Sequence, residues 1–126
     1  MFFKRKHSEA QRRMNALWEL YDNQKLKSIS FYVYCLCDYE AGVGGEGHYG
    51  WFFNCEETAG KEELKMRIDS LQKILPGHLF SNLEKAYSSY CTKETSEVCE
   101  AEDEYFYNHE QEVIDILQKY ADQFAF

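Results

Sequence analysis

The sequence predicts an all-α fold: a single compact domain of five or six helices, with a glycine-rich aromatic loop packed into its core. Three observations predict it. Apolar residues recur three and four positions apart from Met14 to Phe124, which is the core-facing stripe of an α-helix. One segment is rich in strand formers, but no second strand of comparable quality lies nearby, and a lone strand has nothing to pair with. Five of the seven glycines fall between Gly42 and Gly50, and Tyr49, Trp51, Phe52 and Phe53 sit at the end of that run. Glycine serves where the backbone turns sharply or passes close to something, and large aromatics dominate burial energy. A chain of 126 residues buries about two-thirds of its unfolded surface, enough for one core.

Residues 1–7 read as a basic N-terminal arm and residues 8–126 as the helical domain. Ser8 is a candidate N-cap. Met14, Leu17, Trp18 and Tyr21 form the stripe of the first helix, which Asp22-Asn23 breaks. Leu26 to Glu40 is ambiguous: Leu26, Ile29, Val33, Leu36 and Cys37 fit a helix face, while residues 31–35 are strand formers. The missing partner strand tips the reading to a helix that is apolar nearly all round, and therefore central. After the glycine-rich loop, Thr58 caps a helix with the stripe Leu64, Ile68, Leu71 and Leu75, stopped by Pro76-Gly77. The next helix carries Leu79, Leu83, Ala86 and Tyr90. Thr92 to Ser96 is a polar break. The last segment is one bent helix or two, anchored by Tyr105 and Phe106 and then by Val113, Leu117, Tyr120 and Phe124.

Charge is distributed unevenly. The formal net charge is −8, yet residues 1–13 hold five basic side chains and one acid. Residues 94–126 hold ten acids and one base, Lys119. An acidic surface repels phosphates and attracts basic surfaces, so direct nucleic-acid binding is not expected. Glu97, Glu100 and Glu104 are spaced to share one helix face. With Glu102 and Asp103 they are the candidate partner-binding residues. Carboxylates along a helix approximate the charge spacing of DNA and can compete for a DNA-binding protein's basic face. No apolar run approaches membrane-spanning length. The N-terminus lacks the apolar core of a secretory signal, and the five cysteines are odd in number, so reduced thiols in a cytoplasmic protein are expected.

Little in the pattern points to catalysis or a cofactor. Cys35 and Cys37 are one residue apart, too close for the usual zinc half-site. His7, His48, His78 and His109 are scattered, and no metal or cofactor is expected. Cys55 and His48 flank the aromatic plug, but no hydrolase signature surrounds them. The glycine run lacks the lysine of a phosphate loop. Glu40 and Asn54, flanking that run, are expected to fasten its amides, with Gly47, Trp51, Phe52 and Phe53 as the loop's other structural residues.

The stretch from Glu40 to Asn54 resembles the signature of a bacterial family of helical proteins, mostly of unknown function, that includes an acidic DNA mimic acting on a transcription factor. The family pattern is a glutamate near a helix end, Asn-Gly-Gly-Phe, a glutamine, two aromatics and an asparagine. Here Glu40 stands for the glutamate and Trp51-Phe52-Phe53-Asn54 for the closing aromatics and asparagine. Tyr105-Phe106-Tyr107 and the stripe to Tyr120 are similar to the family's closing helix, so the resemblance covers roughly residues 25–126. Glu46-Gly47-His48 replaces Gly-Gly-Phe, and Gly50 replaces the glutamine. The resemblance implies an all-helical fold and a non-enzymatic, acidic DNA-mimic-like interaction protein with a basic protein partner, such as a transcription factor. A toxin-neutralising immunity protein is the first alternative. An enzyme with a site near the glycine-rich loop, built on Glu40, His48, Asn54 and Cys55, is the second. Self-association into a homodimer stays open.

Overall fold

Five helices pack around a sixth, the third in chain order, in a computed structural model that describes residues 2–92 and 98–124, and of residues 2–8 the backbone alone. The six are α1 (Phe2–Asp22), α2 (Leu26–Ile29), α3 (Phe31–Ala59), α4 (Lys61–Leu71), α5 (Gly77–Thr92) and α6 (Glu100–Gln123). No strand occurs among the described residues. Nor is any described helix long and apolar enough to cross a membrane.

The ambiguous segment is helical, and α3 touches every other helix. Ser30 caps it, its Oγ accepting the Val33 N–H at 3.3 Å. Val33, Tyr34, Cys35, Leu36, Cys37 and Tyr39 are all buried, so this arm of α3 is surrounded. Strand-forming residues fold as helix here because burial on every side outweighs a weak local preference.

The expected glycine-rich loop is not a loop. Helix continues through it, and only Gly47 leaves helical geometry, at φ 77° and ψ 172°. That conformation is essentially restricted to glycine. The helix therefore has two arms, joined at Gly47 and folded against each other. Gly42 permits their closeness: a Cβ there would lie 2.2 Å from Trp51 Cδ1. Glycines each weaken a helix by roughly 0.5–1 kcal/mol, a penalty that packing of this buried hairpin overrides. Trp51 and Phe52 plug the core as expected, whereas Phe53 is 46% exposed.

Several helix ends differ from expectation. α1 starts at Phe2, so Ser8 lies inside it. Thr58 lies within α3, its Oγ1 donating to Asn54 O at 2.8 Å, and the break before α4 comes at Gly60. α4 ends at Leu71, and Leu75 follows in a turn. Pro76-Gly77 opens α5 as much as it stops the preceding segment: the Pro76 carbonyl accepts the Phe80 N–H at 3.0 Å. The closing segment is a single helix, α6, packed against α1, α3 and α5. Its stripe buries Phe106, Val113 and Leu117.

Candidate functional site

Helix α6 carries most of the predicted acidic site, and packing divides its carboxylates into two groups. Glu100 and Glu104 are exposed and Glu102 is half-buried. None of the three forms an ion pair among the described residues. They sit in the first turn and a half of α6, where the helix N-terminus favours negative charge. Glu97 lies outside the described residues.

Asp103 does not belong to a free acidic face, which corrects the expectation. Its Oδ1 accepts the backbone N–H of His48 at 2.8 Å and pairs with His48 Nδ1 at 2.7 Å. The side chain is 26% exposed, and His48 is fully buried. Asp103 thus holds the break in α3. A Cβ on Gly47 would come within 2.6 Å of Asp103 Oδ2, so the same carboxylate fills the space that a side chain at 47 would need. A donor left unmade by the broken helix is satisfied from across the fold.

The expected fasteners, Glu40 and Asn54, do other work. Asn54 Nδ2 hydrogen-bonds Glu46 Oε2 across the Gly47 break. Glu40 turns toward Glu110 of α6. The two carboxyls flank Gly44, where a Cβ would lie 3.2 Å from Glu110 Oε2 and 3.8 Å from Glu40 Oε2. Burial pushes the Glu40 carboxyl up to about 9, and its hydrogen bond and charge repulsion with Glu110 act in the same direction. A proton on Glu40 gives its buried Oε2, otherwise without a partner, a bond to make. Because the folded value lies above the ordinary 4.5, this stability is complete below pH 4.5 and declines as pH rises toward 9. Glu40→Gln is expected to stabilise the protein at pH 8, by on the order of 1 kcal/mol once solvent screening is allowed for, with little change at pH 4. Thermal melts of both proteins across that range check the sign. Parallel melting curves at every pH would remove Glu40 as the source.

Beside the α3 hairpin lies a cleft of about 430 Å³, lined by Tyr21, Asp38, Gly42, Trp51, Cys55 and Arg67 among others. Asp38 organises it. Its carboxylate accepts Tyr21 OH at 2.5 Å, Trp51 Nε1 at 2.8 Å and Arg67 Nη1 at 2.7 Å. Arg67 also donates from Nε to Glu63 at 2.8 Å, and its guanidinium lies 5.2 Å from the Tyr34 ring centre. The sequence reading passed over Asp38 and Arg67. Each carries a signal in retrospect: Asp38 interrupts the apolar run Val33–Tyr39 of α3, and Arg67 falls on the stripe of Leu64, Ile68 and Leu71. A charge in such a place calls for a partner.

Cys55 and His48 are not assembled as nucleophile and base. His48 is tied to Asp103, while burial, the largest effect on it, raises the Cys55 thiol. An activated thiol needs the opposite shift. All five cysteines are free thiols, with Cys91 alone exposed.

Compared with family models, with curated proteins and with solved structures, the chain matches none.

Proposed function

We propose that the chain is a non-enzymatic interaction protein that captures a basic surface of a protein partner with the head of α6. The observation that carries this reading is the trio Glu100, Glu102 and Glu104. These carboxylates stand within five residues at a helix start and form no ion pair among the described residues, while Asp103 and Glu110 of the same helix are turned to structural work. Charges left unpaired by the fold are available to another molecule, and a negative field at −8 net charge steers basic surfaces toward them. The resemblance to the DNA-mimic-like family adds a partner class, a DNA-binding protein whose phosphate-binding face the carboxylates would occupy.

The test begins with a pulldown, followed by association rates at several salt concentrations. Glu100→Gln, Glu102→Gln and Glu104→Gln together are expected to slow association about tenfold or more at low salt and to flatten its salt dependence. Stability should change by less than about 1 kcal/mol, since exposed charges contribute little. A rate indifferent to both salt and the triple substitution would overturn the proposal. Capture of a DNA-binding regulator supports mimicry, whereas capture of a nuclease toxin supports the immunity reading.

A further inference from the structure

His78, His109 and Glu112 come from two helices and meet at one point. One ligand-capable atom from each lies within 4.8 Å of the other two. His78 stands in the first turn of α5, and His109 and Glu112 stand one turn apart on α6. His78 Nε2 is 2.9 Å from Glu112 Oε1, and the two imidazoles are 5.2 Å apart, centre to centre.

One residue, Tyr105, orients both rings. Its backbone carbonyl faces His109 Nδ1 at 2.8 Å. A carbonyl only accepts, so His109 Nδ1 bears a proton, and in the neutral ring the lone pair is on Nε2. The hydroxyl of Tyr105 meets His78 Nδ1 at 2.8 Å. Its ring stacks on His109 with centres 4.1 Å apart. In metal sites the distal histidine nitrogen is held in this way, by a carbonyl, carboxylate or similar group that fixes ring and tautomer. Both Nδ1 atoms are engaged here, which leaves Nε2 of each histidine and the Glu112 carboxylate as the donors of an N₂O set.

We propose that this cluster binds a divalent zinc ion through His78 Nε2, His109 Nε2 and Glu112, with Tyr105 as the positioning residue. Two imidazoles and one carboxylate are a zinc donor set that leaves a fourth position open. Around tetrahedral zinc, with bonds of about 2.0–2.2 Å, these atoms stand roughly 3.3 Å apart. The His78–Glu112 pair is already that close, so the remaining closure is a side-chain adjustment of His109. Zinc takes the place of the proton between His78 Nε2 and Glu112. The His78 ring proton then resides on Nδ1 and is donated to the Tyr105 oxygen. His78 is 40% and Glu112 44% exposed in their side chains, so the open position faces solvent. The site joins α5 to α6 at the surface.

The experiment titrates zinc into the metal-free full chain in a non-chelating buffer and follows heat. Cobalt(II) then reports coordination through its visible spectrum. One ion per chain is expected, with binding weakened at least tenfold by His109→Ala and by Glu112→Gln. Tyr105→Phe keeps the carbonyl and the ring but loses the hydroxyl, and is expected to weaken binding about tenfold. Glu104→Gln, on the same helix, is expected to leave affinity unchanged. Cobalt should give a tetrahedral spectrum without a thiolate band. Binding that survives both ligand substitutions would overturn the proposal, as would a thiolate band abolished by Cys91→Ser. Absence of any binding at micromolar zinc would also overturn it.

Discussion

Asp38→Ala is expected to be among the most destabilising single substitutions in this protein. The carboxylate collects three donors from three separate helices: Tyr21 of α1, Trp51 of α3's second arm and Arg67 of α4. It and Arg67 are only 12% and 10% exposed in their side chains. Removing one partner of a buried ion pair leaves an uncompensated charge, which costs about 3–5 kcal/mol. In a domain of this size that corresponds to a fall in melting temperature of roughly 10–20 °C. Asp38→Asn retains an acceptor oxygen and is expected to lose about half as much. Thermal and urea unfolding of the two variants check both statements. If Asp38→Ala melted like the parent, Glu63 alone would suffice for Arg67, and the three-helix junction would not depend on Asp38.

Phe52→Ala is expected to cost roughly 3–5 kcal/mol, and Phe53→Ala less than about 1 kcal/mol. The two residues are adjacent in an Aromatic-Aromatic-Aromatic run, so their difference is a test of helical register. Phe52 has no exposed surface and meets the rings of His48, Trp51, Tyr87 and Tyr90 at centre distances of 6.0, 5.5, 5.4 and 5.1 Å. Truncation there leaves a cavity that these rings cannot fill without leaving their rotamers. Phe53, at 46% exposure, stacks only on Tyr49 in the ring contacts described. Equal losses measured by denaturant unfolding would mean that the second arm of α3 is rotated from the register described here.

The helical stripes of α4, α5 and α6 were legible because they depend on local spacing: residues three and four apart share a face whatever surrounds them. The glycine-rich stretch misled for a physical reason. Gly42 through Gly50 reads as a loop by composition, but helix persists when its backbone bonds stay within the segment and burial stabilises both arms. Only Gly47 needs a conformation that other residues avoid. The signal for the two-helix hairpin was the Gly42–Trp51 pair, a glycine and a large aromatic that touch, and their contact is invisible until the chain folds back.

Sequence alone determined the all-helical class, the entry of the Trp51–Phe53 aromatic run into the core, though not which of its three rings, and the surplus of acid in the last third of the chain. These follow from composition and period. Tertiary structure alone decided what each acid does. Glu100, Glu102 and Glu104 remain unpaired among the described residues, Asp103 clamps His48 across 55 positions, Glu110 faces Glu40, and Glu112 meets His78. Spacing along a helix sets the direction of a side chain, but the charge or proton it meets belongs to whichever helix packs opposite. That pairing arises from the arrangement of α3, α5 and α6, which no local pattern encodes.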